Sequence, residues 1–178
     1  MIEINRLNKY FESLSGTDKL SIPSKTILLE EGKVADRLFF IHKGALRLFF
    51  YNEGKDITFQ FFFEGDFVAS FDSLYKRKPS LFSLESIEQT EVFAIKREDF
   101  YSLMEQTPLL KREYEEKLIE RFHVYQQLFL SRIKNTPQQR YEELLRDYPG
   151  IIQRVPQHYI ASYLGITPVS LSRIRNRR

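Results

Sequence analysis

The stretch from Gln157 to Ile174 constrains the fold of this 178-residue chain more than any other. Ile160, Ala161 and Leu164 share one helical face, and Ala161 is small enough for a second helix to cross closely over it. Gly165 follows as a stop, because a chain that turns there needs a positive φ, which glycine reaches without a Cβ clash. Ile166 plugs the corner, Thr167 is a good N-cap, and Pro168 takes the first helical position, where a missing N–H costs nothing. Leu171 and Ile174 then point back into a small core, leaving Pro168, Val169, Ser170, Arg173 and Arg177 on or near the outer face. This is the pattern of a helix-turn-helix, and a helix exposing Ser and Arg beside its own N-terminus suits the DNA major groove. An ordinary helical hairpin with solvated charges is the alternative, but it leaves the common register of Ala, Gly, Thr-Pro and the apolar positions without a reason.

Charge points the same way. Five arginines (Arg154, Arg173, Arg175, Arg177, Arg178) and no acidic residue lie from Gly150 onward, so this segment carries +5 against +3 for the whole chain and the rest sums to −2. A basic terminal module on a nearly neutral body is the footprint of a phosphate-binding surface, and the broad apolar face of a membrane-binding helix is missing. Arginine in place of lysine favours bidentate contacts to guanine or phosphate. The remaining composition is that of a soluble globular protein, with no apolar run near the ~20 residues that span a bilayer. Met1 to Arg6 lacks a basic segment followed by an apolar one, so no export signal and a cytoplasmic location are expected. With no cysteine, disulfides, thiolate zinc sites and cysteine-held iron–sulfur clusters are excluded.

Fourteen of the sixteen phenylalanines precede residue 106. There, short aromatic runs (Leu38 to His42, Leu46 to Tyr51, Ile57 to Phe63, Val92 to Ile95) alternate with breaks at Glu31-Gly32, Lys43-Gly44, Asn52 to Lys55, Glu64-Gly65-Asp66 and Lys78-Pro79-Ser80. That spacing predicts a sheet-rich barrel or sandwich, with a short helix over Asn8 to Leu14 leading into it. From Leu109 the period changes: Leu110, Tyr114, Leu118, Phe122, Tyr125, Phe129 and Ile133 recur every three or four residues, which predicts one helix of about 25 residues. So long a helix packs along its length either on its own barrel or on a two-fold copy of itself; Leu110, Tyr114, Leu118, Phe122 and Phe129 are the expected dimer contacts.

Three Thr-Pro pairs, at Thr107, Thr136 and Thr167, each read as N-cap plus first-turn proline, and Thr136 with Gln139 forms a possible capping box. Lys134-Asn135-Thr136 is then the hinge, a helix runs from Pro137 to Arg146, and Ile151 to Val155 is an extended connector ended by Pro156. The expected fold is α+β: an N-terminal antiparallel β-roll or jelly-roll barrel over 1–106, a long dimerisation helix and hinge over 107–135, and an all-α, winged-helix-like helix-turn-helix domain over 136–178.

That order of elements, with Glu31-Gly32 before a strand, Ile41-His42-Lys43-Gly44 at the next turn, Glu64-Gly65-Asp66-Phe67 entering the cassette region and Gln139-Arg140-Tyr141 after the hinge, resembles the Crp/Fnr superfamily of bacterial transcription regulators. The resemblance implies a homodimer that binds a palindromic double-stranded DNA site, with RNA polymerase as a further partner and a small-molecule effector held between barrel and long helix. The residues matching such a pocket are Glu64, Gly65, Phe67, Ser70, Phe71, Ser80, Leu81 and Phe82, capped by Tyr125 and Gln126. Cyclic-nucleotide-binding relatives carry Gly-Glu before the cassette helix and Arg-Ser or Arg-Thr after it; here Ala69-Ser70 and Ser80-Leu81 stand there. A buried phosphate without an arginine costs several kcal/mol, roughly, so no tight cAMP or cGMP binding is expected. Lys76, Arg77 and Lys78 read as an exposed turn before Pro79.

On the reading helix, Pro168-Val169 stands where the catabolite-activator type has Arg-Glu, so that half-site does not carry over. Arg173 matches the later base-contacting arginine of the family and is expected to read a guanine, with Val169 near a thymine methyl. His158 and Ser170 suit phosphates, Thr167 and Pro168 at the start of the helix complete the expected DNA-binding set, and Arg175, Arg177 and Arg178 suit sequence-independent grip. The chain stops after the reading helix, so a wing beyond it is expected to be absent. An enzyme is not expected: no metal-ligand cluster, phosphate loop or activated nucleophile stands out, and no cofactor is implied. A haem or gas sensor using His42 or His123, and a protein-interaction module that binds no DNA, are the competing readings.

Overall fold

The aromatic runs of the first half lack strict alternation because both faces of their strands are covered. A computed structural model, describing residues 11–12 and 17–176, folds them into two four-stranded antiparallel sheets. The first has the order β1 (Thr17–Ile22), β8 (Thr90–Lys96), β3 (Arg37–Lys43), β6 (Phe67–Val68); the second has β2 (Ile27–Leu29), β7 (Ser83–Ser86), β4 (Leu46–Asn52), β5 (Lys55–Phe62). Between the sheets lie Phe39, Ile41, Leu46, Leu48, Phe62, Val68, Leu84, Val92 and Ala94. On β3 the intervening Leu38 and Phe40 point the other way, joining Phe93 and Ile95 beneath Phe100, Met104 and Leu110. A period of two on each face thus adds up to a continuous apolar string.

The turn from β3 to β4 depends on Gly44, which has φ +102; a Cβ there would lie 2.5 Å from Thr90 Oγ1 and 2.8 Å from the Gln89 carbonyl oxygen. After β6, helix α1 (Phe71–Lys76) ends at Arg77 in the left-handed region, and Lys76, Arg77 and Lys78 are exposed. Helix α2 (Arg97–Gln106) is absent from the sequence reading; it buries Phe100 and Met104, one turn apart, on the first sheet. Of the expected helix over Asn8 to Leu14, Phe11 and Glu12 are helical and the other positions lie outside the described residues.

Helix α3 (Pro108–Lys134) has 27 residues and follows Thr107, whose side chain makes no capping bond. Its first two turns pack on the barrel: Leu110 is buried in the cluster under α2, and the Tyr114 ring contacts Phe67, Phe71 and Phe100. This corrects the assignment of Leu110 and Tyr114 to a dimer face, since the barrel already fills their side of the helix. Further along, Ile119, Phe122, Phe129 and Ile133 are each 59–67% exposed. Helix α4 (Pro137–Asp147) starts with the capping box between Thr136 and Gln139, formed in both directions.

Residues 151–154 form a short helix, α5 (Ile151–Arg154), where the sequence reading placed an extended connector. One helical turn brings Ile151 and Val155 together into the core, and Val155, preceding Pro156, leaves the helix with extended backbone. Helices α6 (Gln157–Leu164) and α7 (Pro168–Asn176) follow. Their core is not separate from the barrel: Tyr159, Ile160, Ala161, Tyr163, Leu164 and Leu171 share one cluster with Phe61 of β5 and with Ala45 and Ile87, which flank β4 and β7. Layered across the molecule are α2 with the start of α3, the first sheet, the second sheet, and the helix-turn-helix.

Candidate nucleic-acid interface

The turn between α6 and α7 is closed as its residues require. Gly165 adopts φ 68 and ψ 35, its N–H donates to the Ser162 carbonyl at 2.9 Å, and the Ile166 N–H reaches back to Ala161 at 3.0 Å. Ala161 is completely buried at the helix crossing, and Leu171 is buried beside it with Ile174 partly covered. Thr167 Oγ1 accepts the Ser170 N–H at 3.1 Å, capping α7, and the Ser170 hydroxyl lies 3.0 Å from Thr167 Oγ1. Those two hydroxyls are therefore engaged in the cap. Pro168, Val169, Ser172, Arg173 and Asn176 are exposed, Arg175 is half-buried, and His158 is exposed against the Tyr159 ring. Arg177 and Arg178 lie outside the described residues.

Arg154 does not add to this basic surface. Its guanidinium faces the barrel, donating to Glu64 at 2.7 and 2.9 Å and to Glu88 at 2.5 and 3.0 Å. Burial pushes the Glu64 carboxyl up, but bonds from Arg154, its own backbone and the Gly44 N–H outweigh it and hold the group below its ordinary value. Net charge alone could not separate an inward-facing arginine from an outward-facing one. Two further arginines hold α6, a role the sequence pattern did not assign to them. Arg132 of α3 donates to the Tyr163 carbonyl at 2.6 Å, and Arg140 of α4 donates to the Leu164 carbonyl at 2.9 Å, two cations at the negative end of one helix. Burial and the neighbouring Arg132 pull Arg140 below the ordinary guanidinium value.

The ten residues expected to form one effector pocket are dispersed. Glu64 lines a cleft of about 440 Å³ where the barrel, α3 and the α4–α5 turn meet. Ser70 lines a barrel cavity of about 250 Å³, below the ~300 to 1,000 Å³ usual for ligand sites. Phe71 lines an apolar groove of about 500 Å³ under α1, α2 and α3. Gly65 is a buried turn residue with φ 87, Phe67 is buried against Phe40, and Phe82 packs on Phe59. Leu81 and Gln126 are exposed. Tyr125, near Asp66 and Arg121, is raised above its ordinary value chiefly by burial.

At the cassette positions the polar side chains engage one another. Ser70 and Ser80 stand 2.9 Å apart, hydroxyl to hydroxyl, and the Ser80 hydroxyl also donates to the Phe82 carbonyl at 2.7 Å. The guanidinium lining that cavity, Arg37, lies 3.5 Å from Asp18, and Asp36 lines the same cavity. Of the histidines considered for haem, His42 sits at the end of β3 with Nε2 4.0 Å from Glu91, and His123 is exposed on α3.

Residues 19–107 match the family described as cyclic nucleotide-binding domain. No curated protein sequence matches the chain. Several solved structures share the fold. The c-di-GMP-responsive global regulator CLP of Xanthomonas campestris is 16% identical with a TM-score of 0.74, over 97% of this chain and 90% of its own. FixK2 of Bradyrhizobium japonicum is 17% identical with a TM-score of 0.76, over 90% and 83%. A CooA variant from Carboxydothermus hydrogenoformans is 15% identical with a TM-score of 0.74, over 95% and 78%.

Proposed function

Because the chain belongs to the cyclic nucleotide-binding domain family over residues 19–107 and carries the fold of Crp/Fnr-type regulators, we propose that it is a homodimeric, sequence-specific DNA-binding transcription regulator whose effector, if it takes one, is not cAMP or cGMP. The observation that carries this reading is the exposed face of α7: Val169 and Arg173 point away from a helix pair whose turn, cap and crossing are all closed. Arg173 and Arg175 form no ion pair among the described residues, in contrast to Arg154. In this reading Arg173 reads a base edge, Val169 contacts a thymine methyl, and His158 and Arg175 bind phosphate, with Arg177 adding grip.

Dimerisation is supported by the far half of α3. Ile119, Phe122, Gln126, Phe129 and Ile133 fall at alternating spacings of three and four, the seam of a left-handed helix pair, and all five are exposed in the single chain. Such a pair presents two copies of α7 for a two-fold site with half-sites about one helical turn, ~34 Å, apart.

Selection from random duplexes, followed by titration at several salt concentrations, tests the proposal. A palindromic site bound at least about a thousandfold more tightly than random DNA is expected, and Arg173→Ala should relax selection at one base per half-site. A protein that enriches no duplex above background at low salt overturns the reading.

A further inference from the structure

Helix α6 is held by the barrel as well as by the hinge. β5 is an edge strand of the second sheet, and on its side away from β4 the Ser162 hydroxyl accepts the Thr58 N–H and donates to the Asp56 carbonyl, both at 2.9 Å. One turn earlier on α6, the Tyr159 ring lies 3.7 Å from the guanidinium of Arg47, which is also 4.0 Å from the Phe49 ring. Arg47 is 1% exposed. It donates to both oxygens of Asp56 at 2.6 Å, to Glu85 at 2.6 Å and to Thr58 at 2.8 Å, and the Tyr159 hydroxyl donates to Glu85 at 3.4 Å.

We infer that Arg47, Tyr159 and Ser162 are positioning residues for DNA reading: the second sheet forms a seat for α6, and this seat, together with the hinge, sets where α7 stands relative to the barrel. The inference rests on the dimeric DNA reader proposed above. Two features favour a seat over an incidental contact. First, the contact uses Tyr159, Ser162 and Tyr163, which share one face of α6 by helical spacing, the last with its ring 5.1 Å from Phe61 of β5, while Val169 and Arg173 of α7 stay exposed, so a seated α6 leaves the reading face uncovered. Second, the guanidinium under the tyrosine is kept from water. Arg47 is 1% exposed and its charge is met by Glu85 and Asp56, and the Tyr159 ring lies over the guanidinium, a cation–π contact that strengthens out of water and is lost if α6 lifts away.

A seated pair of reading helices meets DNA with its spacing already set. Released heads, tethered only through the hinge, would have to be ordered on binding, which weakens attachment to a correctly spaced site and blurs discrimination between spacings. The test measures affinities of the full-length protein for duplexes carrying the selected palindrome with its half-sites moved together or apart by one to three base pairs, and for a duplex with a single half-site. Tyr159→Leu and Ser162→Ala should each bind the best-spaced palindrome about tenfold more weakly, with a flattened spacing profile and the single half-site within about twofold of the parent. In an Arg47→Met background, Tyr159→Leu should add nothing further. Spacing profiles that superimpose on the parent overturn the inference, as do equal losses on every duplex, which indicate mere destabilisation, and tighter binding, which indicates restraint. If Tyr159→Leu yields no folded dimer, Ser162→Ala decides alone. A parent that binds no duplex refutes the DNA reading itself and is recognised before any variant is compared.

Discussion

Replacing Phe129 with alanine tests whether the exposed half of α3 is a two-fold seam. The ring is 66% exposed in the single chain, so a partner helix has most of it left to cover. Burying a whole phenylalanine side chain is worth about 1.5 to 3 kcal/mol, and two-thirds of that is about 1 to 2 kcal/mol. A two-fold seam contains the residue twice, so Phe129→Ala should cost the dimer about 2 to 4 kcal/mol. At 1.4 kcal/mol per factor of ten, the dissociation constant should rise by about thirty- to several-hundredfold. Sedimentation equilibrium over a concentration series measures this directly, with Gln127→Ala, an exposed change on another face of the same helix, as control. A constant within about threefold of the parent, or a parent monomeric at all concentrations, refutes the seam. Circular dichroism should be unchanged, because Phe129 lies in none of the buried clusters.

Gly44→Ala should destabilise the barrel by about 2 to 4 kcal/mol, read as a lower denaturation midpoint, because the new Cβ meets Thr90 and Gln89 backbone atoms at 2.7 and 2.8 Å. Acid should loosen the helix-turn-helix from the barrel. Glu64 has a depressed folded pKa, so its contribution is present above the ordinary value of 4.5 and is lost as pH falls through the lower folded value. Amide exchange around Ile151 to Val155, corrected for intrinsic rate, should rise across that window in the parent and show no such step in Glu64→Gln. Calorimetric titration with cAMP or cGMP should give no micromolar constant, because Ser70 and Ser80 bond to one another in place of a phosphate-binding pair; a micromolar or tighter constant contradicts the reading of the cassette.

Much of the local structure was legible in the sequence because it depends on residues close together in the chain. The Thr136–Gln139 capping box, the Gly165 turn and the Thr167 cap all follow from contacts within a few residues. The span of α3 was legible for the same reason, since a 3.6-residue period is a local property. The short helix α5 was missed because Ile151 and Val155 become helical partners only when a core across the chain takes both, and the apolar stripe of α2 (Phe100, Leu103, Met104) spans little more than one turn, too short a window to establish a period.

The candidate site divides along the same line. The sequence by itself determined which residues close the turn, which helix is proposed to read DNA, and that serines stand at the cassette positions, because each is a matter of residue type at a fixed offset. Only the tertiary structure decided that Arg154 is an inward brace, that Leu110 and Tyr114 belong to the barrel, and that Arg47, 112 residues before Tyr159, lies beneath its ring. An arginine's pattern carries no direction: whether it meets phosphate or carboxylate depends on which distant strand folds against it. The proposed reading surface was therefore written locally, whereas the contacts that hold it against the barrel were set by long-range packing.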